Sequence, residues 1–459
     1  MPPWVRRELS GWARYPVEAC HEFRPERRGA VAEILASGGQ SSYIARGLGR
    51  SYGDCALNRG AGVVNLTRLD RFLNFDEDTG EVRCEAGVSF EALLQTCLPR
   101  GWFPPVTPGT KFVTVGGAIA NDIHGKNHHA DGTFGAAVNE MTLLTPNGER
   151  VVCGPQRNAD LFWATVGGAG LTGFILDARF RMLKVETAYL KADHLRVKGL
   201  AEAMRAMLDS DAGYRYSVAW IDGLARGKSL GRSVLMRANH ARLSDLPSGT
   251  PNPLWPPPRG RCGVPFKLPS LTLNRWSVRA FNTLYYATHG DAAGKLVDFD
   301  AYFYPLDSIA HWYRLYGRRG FVQFQVSFPA ASAEAGLAEV LEKLSASGRA
   351  SFLAVLKRFG AANAGWLSFP SPGFTLALDL PMRDGLPRLL GELESRVLAH
   401  GGRIYAAKDA LTTADAFRAM YPELGRFRAL RAELDPRGLL SSSLARRLGL
   451  ARAGAEAFA

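Results

Sequence analysis

Three glycine-rich segments carry the residue types in this sequence that suit ligand chemistry. The first is Arg46-Gly47-Leu48-Gly49-Arg50-Ser51-Tyr52, which follows a short predicted strand at 42–45. Gly47 and Gly49 have no Cβ, so the backbone N–H groups of this segment can converge on phosphate oxygens as an anion nest. Arg50 adds positive charge. Taken alone, the segment indicates an anion site and no particular ligand.

The second segment combines small residues with a histidine cluster. It begins at Pro108, continues through residues 115–118 and ends in His124, His128 and His129. The small residues at 116–118 allow a flat ligand to approach the backbone closely. The histidines suggest a metal ion, but no carboxylate or cysteine stands at a recognised ligand spacing. The sequence therefore predicts no metal site.

The third segment, residues 165–173, formally contains the dinucleotide fingerprint G-x-G-x-x-G at Gly168, Gly170 and Gly173. That fingerprint requires a strand before it and a helix after it. Here residues 160–165 have a helical pattern, and residues 174–182 alternate with the period of a strand. Because the order of elements is reversed, the sequence argues against an NAD-type Rossmann site.

The chain is long enough for two hydrophobic cores, and its charge favours anionic partners. It has 459 residues, of which 46% are apolar and 22% charged, as is ordinary for a globular protein. Lysine and arginine number 56 against 43 acidic residues, which gives a net charge of +13. The basic residues are dispersed and form no recognised nucleic-acid module, so nucleic acid is not expected as a partner.

The cysteines and the N-terminal residues bear on localisation. The six cysteines are scattered without a C-x-x-C pair, which predicts reduced and mostly buried thiols in a cytosolic protein. The early arginines are not followed by the apolar segment of a signal peptide. No apolar run approaches the ~20 residues of a membrane span. We therefore expect a cytoplasmic protein, either soluble or peripheral at the inner membrane face.

Local patterns predict the elements that position these segments. Alternation predicts strands at 63–66, 82–86, 141–144, 150–152, 321–326, 351–359 and 374–379. Asn147-Gly148 predicts a tight turn between two of them, because both residues tolerate positive φ. Ser89 is placed to cap a helix, and further helices are predicted from 333 to 344 and up to Gly401.

The composition changes between residues 246 and 290. Eight prolines lie between Pro247 and Pro269, and the whole window has five basic residues and no acidic residue. The basic residues are Arg259, Arg261, Lys267, Arg275 and Arg279. One interpretation is a solvated surface loop. The other is a mobile lid that touches a membrane or an anionic substrate, since long loops are often functional.

Five segments together resemble the decaprenylphosphoryl-β-D-ribose 2′-oxidase family, within the vanillyl-alcohol-oxidase/p-cresol-methylhydroxylase (PCMH-type) FAD flavoproteins. They are GLGRSYGD at 47–54, PGTKFVTVGGAIANDIHGKNHH at 108–129, LFWATVGGAGLTG at 161–173, GRIYAAKDALTT at 402–413 and LDPRGLLSSSLARRL at 434–448. The resemblance extends over nearly the whole chain. It is densest in 42–182 and 351–448 and weakest in 190–350.

The resemblance implies an α+β protein with a PCMH-type FAD-binding domain formed by residues 1–187 and 403–459. Residues 188–402 would form a substrate domain of antiparallel sheet flanked by helices. The implied cofactor is FAD, with its pyrophosphate wrapped by residues 47–52. The residues implied to contact FAD are Arg46, Gly47, Leu48, Gly49, Arg50, Ser51, Tyr52, Gly109, Thr114, Val115, Gly116, Gly117, His124, Gly125, Lys126, Asn127, Ile175 and Tyr405.

The same resemblance implies a substrate site in front of the flavin. The residues expected around the substrate are Trp220, Gln325, Lys357 and Lys408. Those expected to take part in catalysis are Lys408, His124 and Tyr52. Burial lowers the pKa of a lysine, so Lys408 could accept a hydroxyl proton as hydride passes to flavin N5. Without the resemblance, Lys408 would be interpreted as a surface lysine paired with Asp409, and Lys357 as solvent-exposed.

Two positions depart from the family pattern. Mycobacterial members have a cysteine where this chain has Ala377, so cysteine-directed reactivity is absent there. Members of the larger group that bond FAD through the first glycine loop have a histidine where Arg50-Ser51 stand here. Non-covalent FAD is therefore expected, with His124 as the residue that leaves a covalent link open.

Three functions compete at this point. The first is oxidation of the 2′-hydroxyl of a polyprenylphosphoryl-β-D-ribose, whose keto product a partner reductase of the short-chain dehydrogenase type would convert to the arabinose form. The second is oxidation of a free alditol or aldonolactone by a soluble enzyme. The third is nucleic-acid binding, prompted only by the net charge. The basic, aromatic 246–290 segment favours the first, because a lipid-phosphate substrate suits a lid that faces an anionic membrane.

Overall fold

The N-terminal part of the chain, up to residue 184, builds three small sheets. The computed structural model describes residues 2–260, 262–269, 272–349, 351 and 353–450. Its first strands are β1 (Val5–Ser10), β2 (Val17–Phe23), β3 (Tyr43–Arg46), β4 (Gly62–Asn65), β5 (Phe72–Phe75), β6 (Glu81–Glu85), β7 (Trp102–Phe103), β8 (Val138–Leu144), β9 (Arg150–Cys153), β10 (Phe174–Arg181) and β11 (Leu183–Lys184). The helices of this part are α1 (Arg28–Ala36), α2 (Phe90–Cys97), α3 (Val115–Ala120), α4 (His128–Asp131) and α5 (Ala159–Thr165).

These strands pair as the local signals require. Four form a sheet in the order β1-β2-β4-β3, and five form an antiparallel sheet in the order β5-β6-β10-β8-β9. The short strands β7 and β11 pair antiparallel with each other. The predicted turn joins β8 to β9, and Gly148 has a φ of 89° there. The Ser89 hydroxyl caps α2 by accepting from the Ala92 N–H at 3.0 Å. Helix α5 precedes β10, which confirms that the third glycine segment has the reverse of the Rossmann order.

The middle of the chain forms one large sheet covered by helices. The strands of this part are β12 (Tyr189–Val197), β13 (Tyr216–Ile221), β14 (Ser233–His240), β15 (Cys262–Gly263), β16 (Ala292–Asp298), β17 (Ile309–Ala310), β18 (Phe321–Pro329), β19 (Ala354–Phe359) and β20 (Gly373–Pro381). Of these, β15 and β17 pair only with each other, in a separate two-stranded sheet. The helices of this part are α6 (Leu200–Ser210), α7 (Arg275–Thr288), α8 (Phe299–Phe303), α9 (Ala333–Ser347) and α10 (Leu386–Ala399).

The C-terminal part adds one further strand and then contacts the first glycine segment, where the Ala407 carbonyl accepts from the Tyr52 N–H. It contains β21 (Arg403–Ile404), α11 (Ala414–Met420), α12 (Leu424–Leu434) and α13 (Ser443–Arg447). Strand β21 pairs with β18 and completes an eight-stranded antiparallel sheet in the order β16-β12-β14-β13-β19-β20-β18-β21. Helices α6, α9 and α10 pack together against this sheet, and the apolar side chains of α9 are buried between them. Helices and antiparallel sheets together confirm the predicted α+β class.

The prediction for residues 246–290 needs a correction. The surface-loop interpretation is wrong for residues 275–288, which form the helix α7, whereas the mobile-lid interpretation stays a prediction. The Asn274 side chain caps it by accepting from the N–H groups of Trp276 and Ser277 at 2.7 and 3.1 Å. The prolines end at Pro269, before the helix begins, so the composition of the whole window concealed it. Arg261 lies outside the described residues.

Two smaller points complete the fold. The strand predicted from residue 351 begins at Ala354. In the part of the chain that the structure describes, no helix has the length and apolar character needed to cross a membrane.

Candidate active site

One cavity of about 390 Å³ lies between the glycine segments and the large sheet. Residues from the N-terminal, middle and C-terminal parts of the chain line it together. The predicted site residues in its wall are Arg46, Gly47, Leu48, Gly49, Arg50, Ser51, Tyr52, Gly109, Thr114, Gly116, Gly117, His124, Gly125, Lys126, Ile175, Trp220, Gln325, Lys357, Tyr405 and Lys408. The tertiary structure thus brings together segments that are more than 300 residues apart.

Val115 and Asn127 lie behind the cavity wall. Val115 is fully buried in the core, and its N–H donates to the Val88 carbonyl. The Asn127 amide donates to the Pro105 carbonyl at 2.8 Å and to Asp131 at 2.6 Å. Both residues hold the second glycine segment in place, and their direct contact with a ligand stays a prediction.

The first glycine segment presents free backbone donors to the cavity. Among the described residues, the N–H groups of 47–51 donate to no other protein atom, whereas the Tyr52 N–H is taken by the Ala407 carbonyl. A Cβ on Gly47 would lie 2.3 Å from Thr114 Oγ1, and Gly49 has a φ of +65°. The segment therefore keeps its shape only with glycine at these positions. Its converging N–H groups suit the oxygens of a pyrophosphate.

The two arginines of this segment have different tasks. Arg46 is committed to structure, because its guanidinium donates to the carbonyls of Ser10 at 2.7 Å and Ala56 at 3.2 Å. Arg50 lies with its guanidinium 3.9 Å from the ring centroid of Trp12. Burial lowers the pKa of Arg50, which still remains a cation. Arg50 is thus the residue that can add charge beside the free N–H groups.

One wall of the cavity is formed by four paired residues, one from each of four adjacent strands. Gln325 on β18 lies opposite Ala377 on β20, which lies opposite Val355 on β19, which lies opposite Trp220 on β13. Neighbours in such a row point to the same face of a sheet, and all four line the cavity. A row of one amide, two small side chains and one indole makes a shallow floor that a sugar-sized ligand can contact.

His124 is the centre of a buried hydrogen-bonding group. Its Nδ1 lies 3.0 Å from the Lys357 amine, and its Nε2 lies 3.0 Å from the Gln325 amide. Burial, followed by the charge of Lys357, holds the pKa of His124 well below its ordinary value, so the imidazole is neutral. Burial also lowers the pKa of Lys357 to about 7, with the charges of Lys408 and Lys126 adding to the effect. The neutral imidazole of His124 therefore connects Lys357 and Gln325, with one hydrogen-bond partner at each ring nitrogen.

Lys408 is held beside Tyr52, and not paired with Asp409. Its Nζ lies 3.8 Å from the centroid of the Tyr52 ring. Burial lowers the pKa of Lys408, and the nearby Asp379 carboxylate partly offsets that shift. Burial in turn raises the pKa of Asp379, which accepts a hydrogen bond from the Gln323 amide. A lysine with a lowered pKa at the cavity wall can serve as a proton acceptor.

Two more predicted residues close the site. Lys126 donates to the Tyr302 carbonyl and lies 4.2 Å from the Tyr302 ring centroid, and burial lowers its pKa to about 7. The Tyr405 ring stacks on Phe369 at 4.7 Å, and its hydroxyl donates to the Asn121 carbonyl. Tyr405 therefore ties the C-terminal segment to the second glycine segment.

Several residues of the site were not predicted from the sequence. The cavity wall also contains Trp12, Tyr285, Asp307 and Gln323, and Asp379 lies behind Lys408. Gln323 had a signal, because it shares one face of its strand with Gln325. The others had none, since each comes from an element whose packing position no local pattern determines.

The free backbone N–H groups of residues 47–51 and the cavity beside them fit FAD. Comparison with known sequences agrees. The family profile described as FAD binding domain matches residues 21–154, and that of D-arabinono-1,4-lactone oxidase matches residues 320–448. The protein is thus an FAD-dependent oxidoreductase of the PCMH type. The chain is 40% identical to decaprenylphosphoryl-β-D-ribose oxidase from Mycolicibacterium smegmatis over 454 residues, 98% of each chain. It therefore belongs to the decaprenylphosphoryl-β-D-ribose oxidase family, as predicted.

Other relatives match less of the chain. An uncharacterized protein from Streptomyces coelicolor is 38% identical over 376 residues, which is 79% of this chain and 100% of the relative. Cytokinin dehydrogenase 2 from Arabidopsis thaliana is 29% identical over 194 residues, 39% of this chain and 38% of the relative. The second likeness covers less than half of either protein and carries no argument about substrate.

We expect FAD to be held without a covalent bond. Arg50 and Ser51 stand where a linking histidine would be needed, and burial raises the pKa of the cavity-lining Cys55 to about 11, which keeps its thiol protonated. Acid precipitation of the pure protein should therefore release yellow flavin into the supernatant. Colour that stays in the pellet would indicate a link, with His124 the first residue to examine. A colourless native protein would contradict the FAD assignment.

Ala377 is expected to shape the cavity floor without taking part in chemistry. Ala377→Cys should leave turnover within about a few-fold, because a thiol is a small apolar group of similar size. Ala377→Phe is the matched control, since a ring at this point of the row would fill the floor and block substrate while FAD stays bound. Loss of flavin or of activity in the cysteine variant would show that the position matters chemically.

Proposed function

We propose that this enzyme oxidises the 2′-hydroxyl of a polyprenylphosphoryl-β-D-ribose to a ketone. The observation that carries the proposal is the convergence of Lys126, Lys357 and Lys408 on one cavity. Among the described residues none of the three forms an ion pair, since the paired lysines lie elsewhere. Lysine amines in this arrangement suit a phosphoryl group, and one amine of lowered pKa suits a hydroxyl proton. The relative at 40% identity is named for a phosphoryl sugar of this kind.

The roles of the residues follow from their positions. Bound FAD supplies the acceptor for the hydride that leaves the 2′ carbon. The neutral Nζ of Lys408 accepts the hydroxyl proton, so that charge does not build up on the sugar oxygen. His124 stays neutral, and its two ring nitrogens hold the Lys357 amine and the Gln325 amide in place beside the sugar. Tyr52 lies against Lys408 and fixes the direction of its amine.

The aromatic and amide residues of the wall suit a pentose. Trp220 offers a ring face, and Tyr285 packs against it with ring centroids 4.5 Å apart. Sugar C–H groups stack on such faces, while hydroxyls take hydrogen bonds from amides such as those of Gln323 and Gln325. The cavity wall thus offers an aromatic face for the sugar ring and amides for its hydroxyls, both beside the proton acceptor Lys408.

A free alditol or aldonolactone is the second candidate substrate. The match of the D-arabinono-1,4-lactone oxidase profile to residues 320–448 favours it. That match covers the strands β18 to β20 and the Lys408 segment, which both hypotheses require. It leaves out Lys126, whose amine would suit the phosphoryl group of an anionic substrate.

Reduction of the bound flavin under anaerobic conditions separates the two candidates. Polyprenylphosphoryl-β-D-ribose in detergent should bleach the yellow colour rapidly, whereas polyprenyl phosphate without the sugar should not. Faster bleaching by free arabinono-lactone or an alditol would favour the second candidate. No bleaching by any pentose would reject both.

The proposed reaction also implies a partner and a place in the cell. A 2′-ketone can be reduced from the opposite face, so a reductase of the short-chain dehydrogenase type would complete an epimerisation to the arabinose form. We place the enzyme in the cytoplasm at the inner face of the membrane, where a polyprenyl-linked substrate and a nicotinamide-dependent reductase can both reach it.

A further inference from the structure

Helix α7 has an inner face that belongs to the active site. Val278 and Asn282 are buried, and the Asn282 amide donates to the Asp222 carboxylate at 2.6 Å. One turn further on, Tyr285 lines the cavity beside Trp220. The helix is thus fixed to the large sheet by a buried polar contact, and it forms part of the cavity wall.

The opposite side of α7 is apolar and exposed. Trp276, Ala280 and Leu284 follow one another at intervals of four residues, so they lie on one face of the helix. Trp276 and Leu284 are each 64% exposed. Phe266, in the loop before the helix, is 63% exposed. We call the side formed by Trp276, Ala280 and Leu284 the outer face of α7.

Basic residues are exposed on α7 and in the loop before it. Arg275 and Arg279 are exposed on α7, and Arg259 and Lys267 are exposed in the preceding loop. The guanidinium of Arg275 lies 4.6 Å from the ring centroid of Trp276. No acidic residue occurs between 246 and 290. Exposed aromatic and aliphatic side chains beside exposed arginines are typical of helices that lie in a membrane interface.

We propose that the outer face of α7 docks on an anionic lipid bilayer and holds the cavity at the membrane surface. The inference rests on the proposed function for the identity of the lipid-linked substrate. A helix with its side chains is about 10–12 Å across, so only this thickness separates the bilayer from the cavity wall at Tyr285. A phosphoryl sugar can then enter the site while its polyprenyl chain stays in the lipid.

The positive charge beside the outer face of α7 favours an anionic bilayer over a second copy of the chain as its partner. Two copies that met through this face would bring together two sets of the α7 arginines Arg275 and Arg279, which is unfavourable. The phosphates of an anionic bilayer complement the same residues, and the acyl region accommodates Trp276 and Leu284.

A fluorescent label on Cys262 can report docking without any activity measurement. Cys262 is exposed in the basic segment, whereas the other five cysteines are buried. A polarity-sensitive dye such as NBD attached there should become brighter and shift to the blue with phosphatidylglycerol-containing vesicles. It should change little with pure phosphatidylcholine vesicles, and high salt should reverse the signal.

Paired variants test the outer face. Each basic residue near an anionic surface contributes about fivefold to partitioning, so Arg275→Gln with Arg279→Gln should weaken vesicle binding about 25-fold. Trp276→Ser with Leu284→Ser should weaken binding at both low and high salt, because the lost contact is apolar. The matched control, Arg24→Gln with Arg205→Gln, removes the same charge from exposed positions outside the segment and should leave binding within about twofold.

The outcomes separate this inference from the proposed function. Equal binding to neutral and anionic vesicles, or an unchanged affinity of the double arginine variant, would overturn the docking proposal. A change of oligomeric state in the serine variants without vesicles would also overturn it, because the face would then be a protein interface. Vesicle binding by a protein that does not oxidise the phosphoryl ribose in detergent would reject the proposed function alone.

Discussion

Lys408→Ala should retain FAD and slow flavin reduction by substrate about 10²–10⁴-fold, the usual contribution of a positioned general base. The reason is that the lysine amine lies in the cavity wall beside Tyr52, with a pKa that burial lowers. Lys408→Arg should not restore the rate, because a guanidinium stays protonated and cannot accept the proton. Anaerobic stopped-flow absorbance measures the reduction directly, with bound FAD as the check on folding.

The pH dependence of flavin reduction also tests whether Lys408 accepts the proton, because this role requires the rate to rise with pH. Only the neutral amine accepts a proton, so the rate of reduction should rise with pH and level off below the ordinary lysine pKa of about 10.4. The alanine variant should lose this rise, and a small primary amine such as methylamine should restore part of the rate. Lys343→Ala, which removes an exposed lysine paired with Glu392, is the matched control. Near wild-type reduction in Lys408→Ala would exclude Lys408 as the base and direct attention to His124 or Tyr52.

Arg447→Met should lower the free energy of unfolding of the FAD-binding part by about 3–5 kcal/mol and reduce FAD retention. Arg447 forms a bidentate pair with Asp54 at 2.7 and 2.9 Å and also reaches Asp409 at 2.8 Å. Both carboxylates are buried, so removal of the guanidinium leaves two negative charges without compensation. These contacts connect the glycine loop with the Lys408 segment. Thermal unfolding followed by flavin fluorescence measures both effects.

Two further variants distinguish charge from packing in this cluster. Asp54→Asn and Asp409→Asn added to Arg447→Met should recover part of the lost stability, because the uncompensated charges are then gone. Arg388→Met removes an exposed pair with Glu392 and should cost less than about 1 kcal/mol. A loss in Arg447→Met as small as that of the control would show that the cluster does not hold the two segments together.

The sequence was most informative where a requirement is local. The glycine loop at 47–51 needs residues without a Cβ and with positive φ, and both requirements can be seen in the sequence itself. The order of helix and strand around Gly168–Gly173 also depends only on neighbouring residues, so the Rossmann alternative could be excluded. The family resemblance then indicated FAD and most of the cavity wall. The boundaries of the two domains at 187 and 403 stay a prediction.

Only the tertiary structure decided which distant residues meet. The local sequence suggested that Lys408 pairs with its neighbour Asp409, but Arg447 takes that carboxylate, and Lys408 lies near Asp379 instead. The row from Gln325 to Trp220 depends on the register of four strands, which is set by burial and pairing over more than 100 residues. Periodicity and turn chemistry determine single elements, whereas the neighbours of an element depend on the packing of the whole chain. The site residues that the sequence missed are those whose neighbours only that packing determines.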